Sequence, residues 1–195
     1  MNWMKKVAVA LVCLLPLGLQ AAKVDTLQVK SPSMNKSIEV VVVSPDMAAT
    51  EACPVIYLLH GYGGNARTWV GIKPDLPKIA DEKGIFFVCP DGKNTWYWDS
   101  PLNADVRYET FISDELVKYV DSHYKTVADR KGRAITGLSM GGHGAMWNGL
   151  RHSDVFSAAG STSGGVDIRP FPKNWEMSVQ IGEKAKYPEN WEKST

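Results

Sequence analysis

Ala134-Ile135-Thr136-Gly137-Leu138-Ser139-Met140-Gly141-Gly142-His143-Gly144-Ala145 is the stretch on which the reading of this chain turns. It opens as a short apolar run after Arg133, passes through G-x-S-x-G, and continues into a segment with helical character up to Leu150. A strand that turns sharply into a helix at a serine is the setting in which that pattern holds a nucleophile. The turn is so tight that side chains beside the serine would collide. Gly137 and Gly141 remove them, and Gly142 leaves further room. Ser139 Oγ is then presented at the C-terminal edge of a sheet, at a helix N-terminus that favours developing negative charge. The same letters also suit a glycine-rich helix start with an ordinary N-cap serine; the strand before and the helix after favour the strained turn.

Further apolar runs precede it. Val55 to Leu59 enters His60-Gly61-Tyr62-Gly63-Gly64, and Ile85 to Cys89 stops at Pro90-Asp91-Gly92. Ile38 to Val43 is β-branched, and Phe156 to Ser161 is a weaker run. Continuous apolar runs of this length suit strands buried on both faces, as in a parallel sheet. Helical patterns fall between them, at Asp75 to Lys83, from Glu109 to Val120 and at Met140 to Leu150. Strands alternating with helices predict an α/β domain with a mainly parallel sheet flanked by helices. A serine nucleophile needs two N–H donors aimed at the oxyanion. The residue after it, Met140, supplies one. The glycine-rich loop after an earlier strand supplies the other, from Tyr62 or next from Gly63. A plain β-to-α turn is the bland reading of that loop, and a brace by hydrogen bonding that of His60.

The 195 residues are 44% hydrophobic and 22% charged, with a formal net charge of +1. That is ordinary globular composition. It carries no basic stripe for nucleic acid and no His/Cys spacing for a metal. At the N-terminus, Lys5 and Lys6 precede an apolar run, Val7 to Leu19, followed by Gln20-Ala21-Ala22. That run is too short to span a bilayer comfortably and predicts a signal peptide over residues 1–21, with export to the periplasm or medium and no stable membrane insertion. Export permits disulfides. Cys53 opens one expected strand and Cys89 closes another, so parallel neighbours would hold them roughly 15 Å apart. A disulfide needs about 7 Å or less between Cα atoms. Two buried free thiols are expected.

LLHGYGG at Leu58 to Gly64, PDG at Pro90 to Gly92, YETF at Tyr108 to Phe111, GLSMGGHGA at Gly137 to Ala145 and SGG at Ser163 to Gly165 stand in one order. Together they resemble the esterase D-like esterases, a group similar to feruloyl and acetyl-xylan esterases, S-formylglutathione hydrolases and mycolyltransferases. The resemblance runs from about Val40 to the end. It implies an α/β-hydrolase fold and cleavage of carboxylic esters through an acyl-serine at Ser139, with no metal or organic cofactor. Its partner is a small-molecule or carbohydrate ester. Acyl transfer to an alcohol is the alternative of the same chemistry, and carbohydrate binding without catalysis that of another class.

The chain departs from this pattern in one respect. The family places an acid and then a histidine after the serine, on loops beyond two further strands. Only His143 and His152 follow Ser139, with no acid between. His143 reads as a packing residue, His152 as a capping one, and no histidine follows Asp167. The expectation is a domain over 22–195 that is incomplete at its C-terminus, lacking the last strands, the triad acid and the triad histidine. Thr95-Trp96-Tyr97-Trp98-Asp99 lies in a loop at the nucleophile's edge of the sheet. Exposed faces of Trp96 and Trp98 would suit a sugar ring or a phenolic acyl group, with loop packing the even alternative. Trp147, Trp175 and Trp191 are expected to pack.

Overall fold

The computed structural model describes residues 22–195. The expected signal peptide lies outside the described residues. Among the described residues the sheet has six strands in the order β1-β2-β4-β3-β5-β6. They are β1 (Lys23–Ser31), β2 (Lys36–Ser44), β3 (Val55–Leu59), β4 (Phe86–Pro90), β5 (Arg133–Leu138) and β6 (Ala158–Thr162). The pairs β4–β3, β3–β5 and β5–β6 are parallel, whereas β2 runs antiparallel to both β1 and β4. The sheet is therefore mixed, with its parallel part where the site lies.

β1 has no counterpart among the apolar runs of the sequence. Only alternate residues of it turn inward, and Val29 is the one large side chain among them that is fully buried. It is held by pairing with β2 along its whole length. That pairing follows a turn at Pro32 to Asn35, where Asn35 takes the left-handed conformation open to Asn.

Helices fill the connections. α1 (Thr68–Ile72) and α2 (Leu76–Lys83) join β3 to β4, and α2 ends on Gly84 at φ 63°. Between β4 and β5 lie α3 (Tyr108–Thr110), a π-helical turn (Phe111–Glu115) and α4 (Leu116–His123). The periodicity predicts a plain α-helix there, and the structure widens it. The Ser113 hydroxyl donates to the Glu109 carbonyl at 2.7 Å, competing for the acceptor of the i−4 ladder. Asp99 pins the start of the same helix by accepting from the Thr110 N–H and hydroxyl. α5 (Met140–Arg151) joins β5 to β6, and α6 (Met177–Ile181) and α7 (Pro188–Lys193) follow.

The core forms on both faces of β3 and β4. One side packs Tyr57, Leu59, Phe86 and Val88 against Phe111, Leu116 and the aromatic 96–98 loop. The other packs Val41, Leu58 and Phe87 against α2. Cys53 and Cys89 are separate buried thiols. Among the described residues no helix is long and apolar enough to cross a membrane.

β6 is the outermost strand on its side, and four of its five residues are exposed. Unpaired N–H and C=O groups along such an edge template pairing with another strand. The protein is expected to self-associate as its concentration rises, and Ala158→Lys, a charge on that edge, to reduce this. Sedimentation velocity of the two proteins over a concentration series checks it. A parent chain that stays monomeric throughout would show that the edge is already blunted.

Candidate active site

β5 delivers Ser139 at φ 52° and ψ −119°, a conformation that L-residues rarely hold. Such strain costs on the order of 1–3 kcal/mol and persists only where the surroundings fix it. Here the Ser139 N–H donates to the Thr162 carbonyl at 2.8 Å, and the Ser139 carbonyl accepts from His143 N–H at 3.0 Å. The glycines act as the sequence requires. A Cβ on Gly137 would run into the backbone of Gly141, and one on Gly141 into the Leu59 and His60 carbonyls, at separations no real carbon reaches. A Cβ on Gly142 would stand 2.6 Å from Ser161 Oγ. β5, α5 and the end of β3 thus meet backbone to backbone, and Ser139 is left exposed above them.

The loop after β3 closes on the same point. A Cβ on Gly61 would stand 3.5 Å from Ser139 Cβ. His60 braces this loop. Its Nε2 accepts from Gly92 N–H at 2.9 Å, so Nδ1 carries the proton and donates to the Gly61 carbonyl at 2.7 Å. The nearby Asp91 carboxylate is held instead by Lys93 at 2.6 Å. The loop also separates its two candidate donors. Gly63 N–H is taken by Asn94 Oδ1 at 2.9 Å. Among the described residues no acceptor takes Tyr62 N–H. Met140 N–H is one of the orphan donors at the start of α5.

Both ring nitrogens of His143 are also committed. Nε2 accepts from the Trp98 indole N–H at 3.0 Å, which can only donate, and Nδ1–H donates to the Gly165 carbonyl at 2.7 Å. Burial pushes its pKa down to about 4, against a smaller opposing effect of the Gly165 bond. It has no lone pair left for the Ser139 proton. His152 caps the other end of α5, whose 12 residues span roughly 18 Å at 1.5 Å per residue. There it pairs with Glu109 at 2.9 Å, beside Arg151, rather than serving as a simple exposed cap. His123 ends α4 before Thr126 bridges to Cys53, at the edge of the sheet where β3 begins. Asp167 does line the Ser139 cleft, but Arg169 grips both its oxygens. Among the described residues, no histidine and no unpaired acid addresses Ser139.

The aromatic loop is the main correction. Trp98 is 1% exposed and Trp96 4%, stacked on each other with ring centres 5.6 Å apart. Tyr97 is buried too, its hydroxyl donating to the His60 carbonyl and its ring filling the space that Gly92 and Gly144 leave empty. Trp96 and Trp98 therefore offer no open faces; only part of Trp96 reaches the cleft. The open aromatic faces come from Phe171 and Trp175, 44% and 47% exposed, the latter expected to pack. With Tyr62, Ile168 and Met177 they line a cleft of about 180 Å³ over Ser139. The sequence signal for them was weak, two aromatics in a Pro- and charge-rich stretch without periodicity.

A family model described as "Putative esterase" matches residues 31–194. The chain belongs to this esterase family. It is 30% identical over 149 residues to Esterase Rv1288 of Mycobacterium tuberculosis (strain ATCC 25618 / H37Rv), covering 73% of this chain and 32% of that protein. Among solved structures, a ferulic acid esterase is 29% identical with a TM-score of 0.69, covering 90% of this chain and 71% of that one. FphF, a serine hydrolase of Staphylococcus aureus, shares the fold at a TM-score of 0.74 and 19% identity, with 84% and 67% of the two chains covered. The α/β-hydrolase fold is common to them. The chain spans about a third of the length of the curated esterase it matches.

His143 gives this chain a pH signature in its stability. The unfolded chain takes up a proton near pH 6.5, one that the folded site refuses until about pH 4. Its contribution is complete above about pH 6.5 and is lost as pH falls towards 4, by ~3 kcal/mol in all. His143→Gln, which cannot titrate, is expected to flatten the curve over that window. Urea unfolding from pH 7 to 4 reads it, and parallel curves for the two proteins would refute the assignment.

Proposed function

We propose that this chain carries the nucleophilic half of a serine carboxylic-ester hydrolase. The observation that carries the reading is an exposed, strained Ser139 with two unclaimed backbone N–H groups, Met140 and Tyr62, on the elements that flank it. Ser139 Oγ attacks the ester carbonyl, and the carbonyl oxygen takes up the electron pair as an oxyanion held by the two N–H groups. As the tetrahedral adduct collapses, the alcohol leaves with a proton and an acyl-serine remains; water then releases the acid. Among the described residues no histidine is placed to receive the Ser139 proton, which in this chain passes to solvent. The open faces of Phe171 and Trp175 support a substrate with a flat or ring-shaped part, an acylated carbohydrate included. The lysine pair and apolar run near the N-terminus support export.

Losing the histidine of a serine triad lowers turnover by on the order of 10⁶. Both acylation and deacylation then slow, but an aryl ester whose phenolate leaves without a proton still acylates faster than water can release the acyl group, and the acyl-serine is expected to build up. Incubating the 195-residue chain with 4-nitrophenyl acetate should therefore add one acetyl group, found by mass spectrometry on the peptide holding Ser139, with little turnover. Ser139→Ala should lose the adduct while keeping its melting temperature within a few degrees. An adduct that survives in Ser139→Ala, or the rapid turnover of a complete esterase, would count against this assignment.

A further inference from the structure

Two loops meet beside Ser139, the one after β3 and the one after β4, and they are tied to each other at three points. Gly92 N–H donates to His60 Nε2 at 2.9 Å, the Tyr97 hydroxyl donates to the His60 carbonyl at 3.1 Å, and Gly63 N–H donates to Asn94 Oδ1 at 2.9 Å. The first two ties hold the base of the loop after β3, where Gly61 lies against Leu138 and Ser139. The third holds its tip, which carries Tyr62 into the same cleft as Ser139. Among the described residues no other side chain bonds to the backbone of Tyr62 or Gly63. Asn94 is itself held in place. Lys93 before it takes the left-handed conformation at φ 49°, with its N–H on Asp91 Oδ1 at 2.9 Å. The Thr95 hydroxyl after it donates to the Gly92 carbonyl at 2.6 Å. A non-glycine residue stays in that region only where its surroundings dictate the path.

The tip is a tight turn. Gly64 N–H donates back to the Gly61 carbonyl at 3.0 Å, Tyr62 keeps a negative φ, and Gly63 stands at φ 75°. These are the marks of a type II turn, whose third position needs a positive φ. Nothing lies within 4 Å of where a Cβ on Gly63 would stand, so this glycine answers to φ and not to crowding. The type I alternative differs by a half-turn of the Tyr62–Gly63 peptide and suits glycine as well. The turn alone therefore does not fix which way that peptide faces. With Oδ1 facing the turn, Asn94 accepts from the Gly63 N–H of the type II form. In the type I form the same oxygen would meet the Tyr62 carbonyl, acceptor against acceptor.

We propose that Asn94 is a positioning residue for the oxyanion site beside Ser139: by holding Gly63 N–H it fixes the tip of the loop and leaves Tyr62 N–H as the donor that the loop offers to the substrate. This rests on the esterase reading of the cleft. Asn94 does not line the cleft, and its effect passes through one peptide. A donor stabilises an oxyanion only if it is already aimed when the charge develops. Without Asn94 the Tyr62–Gly63 peptide is free to turn over, which reverses a peptide dipole next to Tyr62 N–H and releases the loop tip. The neutral ester depends little on that alignment, and the tetrahedral adduct depends on it far more. Losing Asn94 therefore slows acylation without weakening ester binding.

The test follows acetylation of Ser139 by 4-nitrophenyl acetate, through release of nitrophenolate and the mass of the Ser139 peptide. Asn94→Ala is expected to lower the limiting acylation rate by on the order of tenfold, a fraction of what removing an oxyanion donor outright costs, and to leave the half-saturating ester concentration unchanged. Asn94→Asp presents only oxygen to the turn and should recover most of that rate at high salt, where its added charge is screened. Hydrogen exchange supplies a readout that needs no activity. The Gly63 amide, identified by its absence from Gly63→Ala, is expected to be protected in the parent chain and in Asn94→Asp, and to exchange on the order of tenfold faster in Asn94→Ala. A Gly63 amide that is unprotected in the parent chain, an Asn94→Ala chain with the parental limiting rate, or an Asn94→Asp chain as slow as Asn94→Ala would overturn the positioning role and leave the esterase reading standing. A parent chain whose Ser139 takes up no acetyl group would overturn both.

Discussion

Between Leu59 and Gly141 there is room for backbone and for nothing else. The end of β3, the end of β5 and the first turn of α5 share that space, and each depends on the others. Because α5 can press onto the Leu59 carbonyl, β5 can turn back sharply at Leu138, and Ser139 has no conformation left except the strained one. Because β3 ends there, its loop passes beside the serine, with Gly61 against Ser139 Cβ and Tyr62 in the same cleft. A single Cβ at Gly137 or Gly141 would push α5 off the sheet and move Ser139 away from the loop that follows β3. Close packing makes the position all-or-none, since an interior at crystal density offers no slack to absorb one methyl group.

The same constraint explains why the aromatic loop turned inward. Small residues at Gly92 and Gly144 leave a slot between the β4 loop and α5, and Tyr97 fills it. Trp98 then reaches His143 on α5, and Trp96 stacks on Trp98. The loop locks the elbow helix in position instead of meeting solvent. Positive φ values at Trp96 and Tyr97 show how far its backbone yields to place those rings. His60 and His143 belong to this scaffold. Each uses one nitrogen to accept and the other to donate.

What the sequence made legible follows from how local each signal is. The parallel strands β3, β4 and β5 are continuous apolar runs, and they stand within a residue of where the runs place them. The elbow is written in glycines whose purpose is steric, and sterics is local. β1 was hidden because only half its residues turn inward and its pairing with β2, not its own pattern, holds it in the sheet. The π-helical turn was hidden because it leaves the apolar spacing of the segment unchanged; the Ser113 hydroxyl shares the Glu109 carbonyl there. The cleft wall was hidden for a different reason. Phe171 and Trp175 have no periodicity, and their direction is fixed by anchors up to 80 residues away in sequence, such as the bond from Ser100 to Gln180.

That division between floor and wall bears on how the cleft distinguishes esters. In the proposed reaction the floor, Ser139 with the Met140 and Tyr62 amides, meets only the ester group, which every carboxylic ester has in common. On that proposal, discrimination arises where the substrate differs, on the side built by the segment from Asp167 to Met177. Backbone strain there is tolerable because the ends of the segment sit in a core that the elbow itself organises. A change in the wall leaves the close contact between Leu59 and Gly141 untouched. The wall can thus take a new side chain without disturbing the nucleophile, whereas the floor cannot accept even one additional carbon at Gly141.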